Sequence, residues 1–131
     1  MDRIHFVLVV DDDPELREAL ASALRAPGFY IFTAGDAFEA ARVLAERAID
    51  TIIVDVRMPL MSGYEFARQA KLMRPYVRII YMTGYPEEPL EVDPLAGVLM
   101  LKPFRPAQLI ETLRRELDLD CPGSPARPET T

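Results

Sequence analysis

The sequence predicts an α/β domain, a parallel sheet with helices on both faces. Three observations predict it. Five short apolar runs alternate with longer stretches whose apolar residues recur at helical spacing. The first run is apolar almost without a break and rich in β-branched residues, as strands covered on both faces are. The 131 residues, 50% hydrophobic and 27% charged, suffice for one core and have a globular rather than a disordered composition.

Taken in order, residues 4–10 form the first strand. Asp13-Pro14 follows as an N-cap and a first-turn proline. Leu16, Ala19, Leu20, Ala23 and Leu24 give the first helix an apolar stripe, and Gly28 is placed at its end. Residues 29–33 are the second strand. Asp36 caps a second helix with Phe38, Ala41, Val43, Leu44 and Ala48 as its apolar positions. Residues 51–54 are the third strand, and 56–62 are a loop. A helix over 63–73 carries Tyr64, Phe66 and Ala67 inward. Residues 77–82 and 98–101 are the fourth and fifth strands. A last helix over 106–117 has Leu109, Ile110, Leu113 and Leu117 on one stripe. Between the last two strands, residues 84–96 contain Pro86, Pro89 and Pro94. An interior proline costs a helix about 3 kcal/mol, so a fourth crossover helix there is expected to be short or distorted. One domain is expected over 1–119, with 120–131 a disordered tail, since that stretch has three prolines and no apolar periodicity.

Composition excludes several functions. The net charge of −6 disfavours sequence-independent binding to nucleic acid or to an anionic membrane. A single cysteine, Cys121, allows no internal disulfide, and a single histidine, His5, excludes a zinc site built on several histidines. His5 is read as structural. No apolar run approaches the roughly 18–20 residues of a membrane span, and the run ending at Val10 meets three aspartates. The expected location is the cytoplasm.

In an open α/β sheet, ligands bind at the carboxyl ends of the strands. The first strand runs into Asp11-Asp12-Asp13, the third into Asp55, the fourth into Thr83 and the fifth into Lys102. Parallel strands bring all of these to one edge. Clustered carboxylates repel, and a hard divalent cation relieves the repulsion; oxygen-only ligation favours Mg²⁺. A cation, a lysine and a hydroxyl suit a phosphoryl group, and a carboxylate among them can be its nucleophile. Asp13 is better explained as the helix cap. The chain uses arginine for 13 of its 15 basic residues, which marks Lys102 as a chemical choice.

Four motifs occur in order, each after an apolar strand: Val9-Val10-Asp11-Asp12; Asp55-Val56-Arg57-Met58-Pro59 with Ser62-Gly63; Thr83-Gly84; and Lys102-Pro103-Phe104. Together they resemble the response-regulator receiver domain over residues 4–117. The resemblance implies a flavodoxin-like doubly wound sheet of five parallel strands in order 2-1-3-4-5. It implies that Asp55 accepts a phosphoryl group from a histidine kinase or histidine phosphotransfer protein, without the chain being a conventional enzyme. It implies Mg²⁺ held by Asp11, Asp12, Asp55 and the backbone carbonyl of Arg57, with Thr83 and Lys102 on the phosphoryl oxygens and a cis Lys102-Pro103 bond. Arg57 and Tyr85 stand where side chains of the family govern the access of water to the acyl phosphate.

The chain departs from the family at Leu99, where an aromatic residue usually couples phosphorylation to output. With the proline-rich crossover, this points to residues 84–96 as the segment that responds, and to a monomer or weak homodimer. After Leu117 no further helix follows, so a receiver without its own output domain is expected, a switch, shuttle or sink for an unidentified downstream protein. Alternatives are a degenerate receiver acting as a constitutive binding module and a haloacid-dehalogenase-type phosphatase. The latter fits the Asp-x-Asp of 11–13, but Pro14-Glu15 follow where threonine or valine belongs, and Asp55 is left unexplained. A flavodoxin-like cofactor site is disfavoured because three aspartates would repel a phosphate.

Overall fold

A computed structural model describes residues 4–25, 28–84, 98–102 and 105–117. The order of elements is β1 (His5–Val10), α1 (Pro14–Leu24), β2 (Phe29–Ala34), α2 (Ala37–Glu46), β3 (Thr51–Asp55), α3 (Gly63–Met73), β4 (Arg78–Thr83), β5 (Val98–Leu101) and α4 (Pro106–Leu117). The five strands form one parallel sheet in order β2-β1-β3-β4-β5. This is the expected flavodoxin-like arrangement. The expectations for residues 85–97, for the Lys102-Pro103 bond and for the tail lie outside the described residues.

Alternation along the strands divides the core into two layers. Leu8, Val10, Ile52, Val54, Ile79 and Tyr81 face α2 and α3. Val7, Val9, Ile53, Ile80 and Met82 face α1 and α4, where Leu20, Leu24, Leu109 and Leu113 meet them. β1 and β3 are flanked on both sides and buried nearly throughout, which is why their sequences show no polar alternation.

The helix starts follow their caps. Asp13 accepts from the backbone N–H groups of Glu15 and Leu16, and Asp36 from that of Glu39. α3 begins with a capping box: Ser62 accepts from the Glu65 N–H, and Glu65 reaches back to the Ser62 N–H. α1 stops before Gly28, at an extended Arg25 cap; Gly28 instead turns the chain into β2 at φ 94°.

The apolar stripes need three corrections. Phe38, expected in the core, is 76% exposed, and Ala48 is exposed. The face of α2 that meets the sheet is Ala37, Ala40, Ala41 and Leu44, an i, i+3, i+4, i+7 set that places Phe38 about 100° off. Ala19 of α1 is exposed while Ala21 is buried, because this helix also packs against α4.

Two polar details carry stability predictions. Arg74, the cap residue of α3, donates from Nε and Nη2 to the Leu44 carbonyl at 3.1 and 3.0 Å, and from Nη2 to that of Arg47 at 2.9 Å. It thus satisfies the carbonyls that end α2, which have no partner within the helix. Arg74→Ala is expected to cost about 2 kcal/mol, as a lost charged hydrogen-bond group does, read as a lower urea midpoint. The Thr51 hydroxyl has the opposite standing: it is fully buried and has no hydrogen-bond partner among the described residues. Thr51→Val keeps the shape and removes that group. It is expected to raise stability by about 1 kcal/mol in the same titration.

Candidate metal and phosphoryl site

The site is assembled where four strands end. Asp55 and Thr83 are the last residues of β3 and β4, and Asp11 and Lys102 directly follow β1 and β5. In each case an apolar run ends at a polar residue on the carboxyl edge of the sheet.

Asp11 is fully buried. Its N–H donates to the Ala34 carbonyl at 3.1 Å, and its Oδ1 accepts from the Asp13 N–H at 2.9 Å. Asp12 is exposed. Asp55 is 8% exposed; its Oδ1 accepts from the Arg57 N–H at 3.1 Å. Carboxylate oxygens of Asp11, Asp12 and Asp55 lie within 4.8 Å of one another. Lys102 bridges two of the three: Nζ donates to Asp55 Oδ2 at 2.9 Å and to Asp11 Oδ2 at 3.3 Å. Its own N–H donates to the Thr83 carbonyl at 2.7 Å, so the ends of β4 and β5 are locked together.

The electrostatics follow from burial and charge count. Burial pushes the Asp11 carboxyl above the usual aspartate range, and the Asp55 charge adds to the rise; the Asp13 amide and Lys102 only partly oppose it. Burial acts to lower the Lys102 ammonium, but the hydrogen bond and charge of Asp55, then those of Asp11, outweigh it, so its proton is held more tightly than usual. Asp55 thus supplies the leading support for the Lys102 charge, while Asp11 carries its own burial penalty. Within this cluster of described residues, three carboxylates meet, and the Lys102 ammonium pairs with two of them, Asp11 and Asp55. An oxygen-only donor set with uncompensated negative charge fits a hard divalent cation.

Of the residues singled out from sequence, the structure therefore brings Asp11, Asp12, Asp55 and Lys102 into one cluster. Thr83 is 2% exposed and joins through its carbonyl, and Arg57 joins through its amide with its side chain exposed. Tyr85 lies outside the described residues. Leu99 is half-buried beside Tyr81 in the sheet, and the Tyr81 ring lies 4.8 Å from that of Tyr64 on α3. Sequence reasoning does not single out Arg17, whose guanidinium reaches the Asp11 carbonyl. Its signal was a cation within two turns of the acidic run.

Fold and cluster together define a flavodoxin-like α/β domain with an acidic, lysine-bridged site at the carboxyl edge of its sheet. The family description that matches the sequence, response regulator receiver domain, covers residues 7–114, and the chain belongs to that family. It is similar to the response regulator protein TodT of Pseudomonas putida, at 33% identity over 121 residues, 90% of this chain and 53% of that protein. The chain spans between about a quarter and about half the length of the curated relatives it matches. A CheY-like receiver domain protein from Methanospirillum hungatei superposes with a TM-score of 0.80 at 27% identity, over 88% of this chain and 95% of that one. The receiver domain of a sensor histidine kinase from Pseudomonas aeruginosa, solved with magnesium ion coordinated in the active site cleft, gives 0.74 at 27% identity, over 86% and 96%. Receiver domains are phosphoacceptors rather than conventional enzymes, and they bind Mg²⁺ at an acidic site. Among the described residues no helix is long and apolar enough to cross a membrane.

Proposed function

We propose that this protein takes a phosphoryl group onto Asp55 from a histidine kinase or a histidine phosphotransfer protein, and acts in a two-component system or phosphorelay. The observation that carries the reading is Lys102 bridging the buried Asp11 and Asp55 beneath a three-carboxylate cluster. An Asp55 carboxylate oxygen attacks phosphorus; the new P–O bond makes an acyl phosphate as the P–N bond to the donor histidine breaks. The Arg57 amide and Lys102 hold one oxygen each of the Asp55 carboxylate, so its orientation is fixed before the donor arrives. Asp11, Asp12, Asp55 and the Arg57 carbonyl would hold Mg²⁺, which when bound neutralises charge on the transferring group. Lys102 and Thr83 would contact the phosphoryl oxygens, Lys102 moving from carboxylate to phosphoryl as charge accumulates there. Switch, shuttle and sink are all compatible with this chemistry. The acidic balance and the site support a protein partner rather than nucleic acid or membrane, and a cytoplasmic location.

The test is intact mass after incubation with a small phosphodonor. A single phosphoryl adduct is expected with Mg²⁺, none with EDTA, and none in Asp55→Asn. An adduct that persists in Asp55→Asn would overturn the assignment of the acceptor. No adduct at all would favour a constitutive binding module.

A further inference from the structure

We infer that Arg17 is a positioning residue for the metal site: its guanidinium fixes the main chain between Asp11 and Asp12 so that both carboxylates converge with Asp55. This rests on the Mg²⁺-dependent phosphoacceptor reading above. Arg17 stands in α1, and its Nη1 donates to the Asp11 carbonyl at 2.8 Å in a partly buried contact. Asp11 is the junction between sheet and helix. Its N–H still belongs to the β2 side through Ala34, while the Asp13 cap already belongs to α1. The peptide unit joining Asp11 to Asp12 lies between these two anchors, and Arg17 holds its carbonyl. Asp12 is exposed, so its place in the cluster is set by the main chain that carries it.

The opposite wall leaves room for this contact. A Cβ on Gly35 would lie 2.9 Å from Arg17 Nη1, and the Gly35 N–H is itself tied to Glu39 Oε1 at 2.8 Å. Any larger residue at 35 would push the guanidinium aside. The atom met is the far end of a long side chain, so this displacement spares the backbone. Two independent substitutions, Arg17→Gln and Gly35→Ala, therefore disturb one contact.

The sign of the effect separates positioning from bulk charge. A cation beside a cation site repels the metal, so an Arg17 acting through charge alone would, when removed, leave Mg²⁺ bound more tightly. A positioning residue, when removed, leaves Mg²⁺ bound more weakly. Outer partners that orient metal ligands typically affect affinity by about 10–100-fold.

The experiment is calorimetric Mg²⁺ titration of the full chain, with melting in EDTA alongside, for the unaltered protein, Arg17→Gln, Gly35→Ala and the double variant. Arg17→Gln is expected to weaken Mg²⁺ binding about tenfold. Gly35→Ala is expected to weaken it by less, and to add nothing once Arg17 is gone, because it acts through the guanidinium. Unchanged or tighter binding in Arg17→Gln would overturn the inference, including where only the melting temperature falls. If Arg17→Gln does not fold, Gly35→Ala decides, and unchanged affinity there overturns it. Absence of Mg²⁺ binding by the unaltered protein would overturn the phosphoacceptor reading itself.

Discussion

Gly63→Ala is expected to lower the melting temperature by about 10 °C, the size of shift that a loss of about 2–3 kcal/mol produces in a domain of this length. The cause is space. A Cβ at Gly63 would collide with the backbone carbonyl oxygen of Asp55 and come within 3.0 Å of the Asp55 carbonyl carbon and the Val56 Cα. These atoms are main chain and have no rotamer by which to yield. The loop between them is already tight: the Gly63 N–H donates to the Val56 carbonyl at 2.8 Å, and Leu60 is held at φ 75°. Relief therefore requires α3 to move away from β3 or the end of β3 to shift. The second displaces Asp55 from Lys102 and from the Arg57 amide. Phosphoryl adduct formation is accordingly expected to slow even at temperatures where the variant is folded. Gly84→Ala is the control for stability, because among the described residues a Cβ there would meet nothing closer than the Lys102 Cβ at 4.0 Å. Its melting temperature is expected to stay within about a degree or two of the unaltered protein, as surface changes without such a contact do. Equal melting temperatures for the Gly63 and Gly84 variants would show that α3 is not seated against the end of β3.

What the sequence makes legible here depends on how far each feature reaches along the chain. The strands are legible because β1 and β3 are covered on both faces and so are written as continuous apolar runs. The acidic cluster and Lys102 are legible for a topological reason: in a parallel sheet every strand's carboxyl end arrives at one edge, whatever the sequence distance between them. Lys102 lies 91 residues from Asp11, yet their side chains meet at 3.3 Å. Side-chain detail is less legible. Phe38 reads as core by hydrophobicity alone, while the helical phase fixed by Ala37, Ala40 and Leu44 turns it to solvent. The Arg17 contact depends on where the end of a long side chain falls against a glycine from another loop, which no local pattern encodes. Gly63 is legible as part of the motif that begins at Asp55, but the reason it must be glycine comes from earlier main chain, at Asp55 and Val56, folding back upon it.

Asp11→Asn tests whether the site is held under electrostatic strain that a cation relieves. Without a divalent cation, the variant is expected to be more stable than the unaltered protein at neutral pH, by about 1–2 kcal/mol, the scale of repulsion between near-surface charges a few ångströms apart. Because burial and Asp55 raise the Asp11 carboxyl above its ordinary value of 3.8, the folded state binds that proton more tightly than the unfolded chain does. The ionised form thus weakens the fold, fully so above the folded-state pKa. The penalty fades as pH falls through that value towards 3.8. The advantage of asparagine should fade over the same window, so the two melting curves converge as the pH is lowered towards about 4. The substituted amide keeps an oxygen for the Asp13 N–H, and Lys102 keeps Asp55 at 2.9 Å, so the local scaffold persists. Mg²⁺ is expected to reverse the order. A ligand that binds only the folded state adds stability in proportion to the logarithm of its concentration over its Kd, and removing a buried anionic ligand weakens that binding. Titrating Mg²⁺ into both proteins should then raise the melting temperature of the unaltered chain steeply and that of Asp11→Asn little. An asparagine variant less stable than the unaltered protein in EDTA at neutral pH would mean that the Asp11–Lys102 pair outweighs the burial and repulsion of Asp11, and that the cluster is arranged to hold its lysine rather than to await a metal.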